Sequence, residues 1–310
     1  MKKALLIVNP KSGKAKMKTY LMSVVEKISD KGYDVTVYPT KAPEDATKKA
    51  STLKNGEYDR IIVAGGDGTL NEVITGLQKA RIDVSIGYIP AGTLNEWSMG
   101  LGISRNIVTA ASDAAGDNII KIDIGRFNEK SFSYTASFGA FTEASYSTPQ
   151  DVKNVLGQAA YFFEGIKSLG NIKPVHLKYE YDDGSGEGDY LFGAVSNSFS
   201  VGGIVKFDDT VVNLNDGMFE VILIKSPTNI IQLQDTIDGI LKKDFTRENI
   251  EFFHTKKITV TGGDGMSWTL DGEYARGEET VVIENVHSAL TLSIPKKKTA
   301  STKTNKGDII

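Results

Sequence analysis

The chain contains no cysteine. No disulfide can staple it, no thiolate can serve as nucleophile, and no cysteine-ligated metal can form. That usage fits a cytoplasmic protein. Histidine is scarce too: three occur, at 176, 254 and 287, and no two are spaced as a metal pair. A bound metal would therefore need oxygen ligands, which suits Mg²⁺. No apolar run reaches the length of a membrane span. The opening Met1-Lys2-Lys3, then Ala4 to Val8, mimics a secretory leader for a few residues until Asn9-Pro10-Lys11 ends it. Positive charge is not in excess; the net charge of −3 argues against a nucleic-acid partner. Two phosphate fingerprints are missing as well. No stretch has the Gly-Lys-Ser/Thr ending of a P-loop, and the dinucleotide pattern would need a third glycine where Asn71 stands.

What is present is ordinary in bulk: 310 residues, 40% hydrophobic and 24% charged, enough for two modest domains or one large one. The stretch from Tyr58 to Val73 organises the rest. Ile61, Ile62 and Val63 are an apolar run of strand type, and Gly65-Gly66-Asp67-Gly68-Thr69 follows. Leu70, Val73, Ile74 and Leu77 then recur at helical spacing. The spacing predicts strand, tight glycine turn, helix. Glycines let a ligand approach the backbone, and the first amides of a helix suit phosphate. Asp67 at the turn could reach a phosphate-bound Mg²⁺; by pattern alone it could equally be a solvated cap.

Strand and helix alternate from residue 4 to about 125. Ala4 to Val8 is a buried strand, with the polar turn Asn9-Pro10-Lys11-Ser12-Gly13 after it. Asp34 to Tyr38 is the next, with Thr40 beyond it and a helix from Ala42 to Leu53. Val84 to Ile89 leads into Pro90-Ala91-Gly92-Thr93-Leu94-Asn95-Glu96-Trp97. Ser104 is placed as the cap of a following helix, and Ile119 to Gly125 forms a strand holding Asp123, a residue expensive to bury alone. Such alternation argues a mostly parallel sheet covered by helices. Beyond it come Ser131 to Ser145 as strand, a helix from Thr148-Pro149 to Ile166, and the alternating Val175 to Asp182. Short strands follow at 190–198, 218–224, 258–261, 266–270, 280–286 and 290–294, interrupted by one helix at about 229–241. That run suggests an antiparallel sandwich. Gly262-Gly263-Asp264-Gly265 reads as a hairpin turn.

Gly65-Gly66-Asp67-Gly68-Thr69 with Leu70-Asn71-Glu72 resembles the nucleotide motif of the diacylglycerol kinase catalytic-domain family. Asn9-Pro10-x-Ser12-Gly13 and Pro90-x-Gly92-Thr93-x-Asn95-Glu96-Trp97 resemble two further turns of that family, with Glu96 where Asp and Trp97 where Phe are usual. Leu156-Gly157-x-x-Ala160-Tyr161 and Asp271-Gly272-Glu273 resemble two more. The glycine core alone is shared with NAD kinases and phosphofructokinases.

The resemblance implies a doubly wound nucleotide domain of that broader type over residues 1–124, rejoined by about 289–296. It implies a β-sandwich lipid domain over 125–288, while composition marks 297–310 as a disordered basic tail. It further implies an ATP-dependent lipid kinase. ATP would be held by Asn9, Pro10, Lys11, Ser12, Gly13, Thr40, Gly65 to Glu72, Thr93, Asn95 and Glu96. Asp271 would be the proton acceptor, with Glu273 in reserve. Mg²⁺ would sit on Asp216 and the carbonyls of Asn213 and Met218, with Asp123 in the same network. The expected partners are a lipid carrying a free hydroxyl and, transiently, the inner face of the membrane; a homodimer is left open. An NAD kinase and a lipid binder with a decayed site are the competing readings.

Overall fold

The computed structural model describes residues 1–92, 95–139, 174–202, 205–208, 210–263 and 265–296, without the side chains of residues 14–16 and 96. Thr93, the helix expected from Thr148, the Leu156-Gly157 stretch and the lysine-rich tail lie outside them.

The first half alternates as β1 (Lys2–Val8), α1 (Ser12–Ser29), β2 (Tyr33–Pro39), α2 (Asp45–Ser51), β3 (Arg60–Gly65), α3 (Asp67–Ala80), β4 (Ser85–Pro90), α4 (Glu96–Gly100), α5 (Ile107–Ala114) and β5 (Ile119–Phe127). Strands β2, β1, β3 and β4 lie side by side and parallel. The continuous apolar runs of β1, β3 and β4 follow from burial on both faces: Leu5, Leu6, Ile7, Ile62 and Val63 are fully enclosed, whereas β2, at the edge, alternates and is largely open to water. The order reverses at β1, with β2 on one side and β3 on the other. In an open α/β sheet the crevice beyond the carboxyl ends at such a point is where ligands bind. The cap of α5 is Asn106, which accepts the Thr109 N–H at 3.0 Å; Ser104, expected in that role, instead accepts the Asn106 N–H.

The second half comprises β6 (Lys130–Phe132), β7 (Thr135–Gly139), β8 (Val175–Tyr181), β9 (Gly184–Ser196), β10 (Ser200–Val201), β11 (Val205–Lys206), β12 (Phe219–Lys225), α6 (Ile230–Lys242), β13 (Ile250–Thr255), β14 (Lys257–Thr261), β15 (Ser267–Leu270), β16 (Glu273–Arg276) and β17 (Thr280–Ser293). These strands wrap a core of their own around Phe132, Phe138, Phe219 and Trp268. A third core, including Phe192, Phe207 and Ile222, holds Ile240 of α6.

Among the described residues, fifteen strands, parallel and antiparallel, belong to one mixed sheet, and β10 with β11 forms a separate two-stranded one. The joint is β17. It pairs antiparallel with β14 through residues 280–284 and parallel with β4 through Leu292 and Ser293. The sequence splits this segment into two strands because His287-Ser288-Ala289 breaks the apolar pattern. One strand runs through that break, bent there by a register shift against β5 and by Ser288 at φ +53°. Residues 262–265 also differ from expectation. Gly262, Gly263 and Gly265 lie between β14 and β15, which do not pair with each other among the described residues, so the expected hairpin of those two strands is not formed.

Candidate active site

Three loops meet at the carboxyl ends of β1, β3 and β4. Gly13 has φ +56°, and a Cβ there would lie 2.1 Å from the Ala91 carbonyl oxygen. Only glycine permits that approach. Asn9 joins the first loop to the second, its Nδ2 donating to Thr69 Oγ1 at 3.1 Å. Its Oδ1 accepts the Lys11 N–H, closing the loop on itself. Thr40 sits beside them, its N–H on the Val8 carbonyl. Asp67 is the first residue of α3, where a carboxylate is favoured by the dipole. Asn95, in the left-handed region at φ +49°, clamps the third loop by exchanging two bonds with Gly92.

Not every polar residue of the glycine motif faces the gap. Glu72 accepts the N–H groups of Glu44 and Ala46 at 3.0 and 3.1 Å, so it caps α2. Leu70 is a core residue at 1% exposure.

Opposite these loops, β15 and β16 form a two-residue hairpin at Asp271-Gly272. The φ values of +52° and +87° are of type I′ sign at both positions. The turn therefore has a structural reason for its Asp-Gly, yet it carries Asp271 inward to 5% exposure. One carboxyl oxygen accepts the Ser133 N–H at 2.5 Å. The other accepts those of Tyr134 and Thr135 at 2.9 and 3.1 Å. Burial nonetheless outweighs the three donors, and with the Asp67 charge adding to it pushes the Asp271 carboxyl up to about 7. That interaction relates the two aspartates across the cleft. Glu273 closes the distance further: a Cβ on Gly68 would lie 2.7 Å from its Oε1. Desolvation, then the Glu72 charge, raises its carboxyl as well.

A sequence profile described as diacylglycerol kinase catalytic domain matches residues 3–127. The diacylglycerol kinase of Bacillus subtilis (strain 168) is 32% identical over 299 residues, spanning 96% of this chain and 98% of that protein. The chain belongs to the diacylglycerol kinase family. The diacylglycerol kinase of Staphylococcus aureus (strain MRSA252) is also 32% identical, over 88% of this chain and 86% of that one. A solved structure from Bacillus anthracis str. Sterne aligns with a TM-score of 0.80, at 29% identity and 95% of each chain. Another from that strain, described as a diacylglycerol kinase, gives 0.74 at 26% identity over 95% of this chain and 97% of that one. No helix among the described residues is long and apolar enough to cross a membrane.

Behind the cleft lies the turn at 213–218, the expected family metal site. Asp123 does not face water as an edge residue would; it is fully buried. It accepts the Gly217 and Ser288 N–H groups at 2.6 Å each, and pairs with His287 Nδ1 at 2.9 Å. Both its oxygens are thus engaged in fastening the turn and the bend of β17 to β5. Asp216 is exposed and accepts the Met218 N–H, while the Met218 carbonyl accepts Asn285 Nδ2. Among the described residues no three acidic or histidine side chains cluster as a metal cage. The donor set fits Mg²⁺ in kind, being all hard oxygen. Buried oxygens of Asn197 and Asn285, whose amide nitrogens bond this same turn, lack partners.

Glu220 is the residue that sequence reasoning missed. It stands on β12 at 1% exposure, with one carboxyl oxygen unpartnered. Burial, reinforced by the Asp216 and Asp123 charges against its own backbone N–H, raises its carboxyl to about 9. A raised carboxyl favours the folded state below the unfolded value, about 4.5. That advantage is lost progressively as pH climbs from about 4.5 and is gone above about 9. Thermal melts should therefore show stability falling from about pH 5 to 9 and levelling above it, and Glu220→Gln should flatten the fall. Parallel curves for the two proteins would rule this out.

Proposed function

We propose that the chain is an ATP-dependent lipid kinase, moving the γ-phosphate of Mg-ATP to a lipid hydroxyl, with diacylglycerol as preferred acceptor and phosphatidic acid as product. The observation that carries this is the reach of the Asp271-Gly272-Glu273 hairpin over the first turn of α3. Residues 1–124 with 289–296 serve as the nucleotide lobe and 125–288 as the acceptor lobe. The glycine loop, Asn9 to Gly13 and the loop of Asn95 and Glu96 line the phosphates, and Asp67 takes the metal–nucleotide end. Asp271 accepts the hydroxyl proton as the lipid oxygen bonds to the γ-phosphorus. The bond to the β,γ-bridging oxygen breaks, and ADP leaves with the electron pair. A carboxyl raised to about 7 is matched to that task near neutral pH.

Mg²⁺, when bound, neutralises phosphate charge. Asp216 with the carbonyls of Asn213 and Met218 would hold a second ion, and Asp123 supports that turn without leaving its bonds. The acceptor implies transient work at the inner membrane face, where basic tail residues contribute about 1 kcal/mol each against anionic lipid.

Release of ADP should require both Mg²⁺ and diacylglycerol in mixed micelles. Release with NAD in place of lipid would favour a nucleotide kinase. Nucleotide binding without turnover on any lipid or NAD would favour a binder.

A further inference from the structure

Tyr88 lies in the middle of β4, opposite Val63 of β3, in a run whose neighbours are apolar. It is 1% exposed, and its ring lies 6.4 Å from that of Trp97, itself 2% exposed. The ring is enclosed, and burial holds the hydroxyl where it is. That place is the junction of two loops. The oxygen lies 3.1 Å from Asp67 Oδ1, 3.3 Å from the Gly65 carbonyl and 3.4 Å from Asn95 Oδ1. A phenol carries one proton. With three acceptors around it, the charged and nearest one takes it, because charge-assisted hydrogen bonds are the stronger kind.

We propose that Tyr88 is a positioning residue for the metal–nucleotide site. Its hydroxyl holds the Asp67 carboxylate toward β4 in the rotamer that meets Mg-ATP. The need for such a tether follows from the fold. Asp67 opens α3 half-buried at the mouth of the cleft, where a short carboxylate can swing toward solvent. Fixing it beforehand removes an ordering cost at binding. Burial, with the Asp67 charge and hydrogen bond behind it, raises the phenol well above its ordinary value, so the proton stays in place at working pH.

The proposal rests on Asp67 serving the metal–nucleotide end, and the test separates the two. Binding of ATP is measured by calorimetry with Mg²⁺ and with EDTA, on the wild type and on Tyr88→Phe, which keeps the ring. The variant should bind Mg-ATP about 5- to 10-fold more weakly and metal-free ATP unchanged. Adding Tyr88→Phe to Asp67→Asn should cost nothing further, since the tethered group is already gone. Equal weakening of both ligands, an additive double variant, or no change would overturn the role of Tyr88. A wild type indifferent to Mg²⁺ would overturn that of Asp67 instead. Should Tyr88→Phe not fold, Tyr88→Leu, which asks for no polar partner, is read the same way.

Discussion

Replacing Asp271 with asparagine should reduce phosphate transfer by a factor on the order of 10³, while Mg-ATP still binds within about 3-fold of the wild type. General-base assistance of this kind is worth roughly 10²–10⁴. Asparagine fills the same space at the hairpin and keeps an acceptor oxygen for Tyr134 and Thr135, but it cannot take a proton. In the proposed role the nucleotide would be held from the other side of the cleft, by the loops after β1, β3 and β4, and its binding would not depend on Asp271. Steady-state turnover and calorimetric binding on the same preparation check both halves. Loss of nucleotide binding together with activity would mean that Asp271 is a structural post for the cleft and not the base.

Asp123→Ala should be the most damaging substitution to stability. The carboxyl accepts from Gly217, Ser288 and His287, which belong to two separate segments. Truncating it leaves those donors without an acceptor inside the protein. Breaking a buried charged cluster by removing one partner costs about 3–5 kcal/mol, a fall in melting temperature of roughly 10 °C. The damage should also travel. Asn197, fully buried, donates through Nδ2 to the Asp123 and Leu214 carbonyls, and through its backbone N–H to the Tyr134 carbonyl. Tyr134 in turn donates to Asp271. Loosening one end of this chain should loosen the cradle that sets the base, so turnover should fall even where the variant remains folded. Asp123→Asn, which preserves an acceptor, should lose less of both. A melting temperature within 1 °C of the wild type for Asp123→Ala would contradict the account of this residue as the fastening point.

The parts of the site legible in the sequence were those written in short, unusual local strings. A glycine turn between an apolar run and a helical stripe is readable because backbone conformation and side-chain period both change there. Asp271-Gly272 is readable because few pairs suit two successive positive φ values. What the sequence concealed depends on contacts made across space. Nothing in Ser133-Tyr134-Thr135 announces that its amides converge on Asp271. Glu220 hides in an otherwise apolar strand, and the tyrosine hydroxyl of β4 looks like one more core aromatic. Glu72 shows the opposite error, a polar letter inside a ligand-binding motif whose carboxylate caps a neighbouring helix. Strands β13 and β16 escaped because Ile-Glu-Phe-Phe-His-Thr and Glu-Tyr-Ala-Arg lack clean alternation; they are made strands by their partners β12 and β15. Asp123 was suspect from the cost of burying it, but its partners lie about ninety and one hundred and sixty residues further along the chain.

The dependence of kcat/KM for lipid on pH, at saturating Mg-ATP, bears most directly on the pairing of the glycine loops with the hairpin aspartate. The rate should climb tenfold per pH unit on the acid side and level off above about 7, where the buried carboxyl of Asp271 has given up its proton. A profile flat from pH 5 to 9, or one that falls through neutrality, would contradict it.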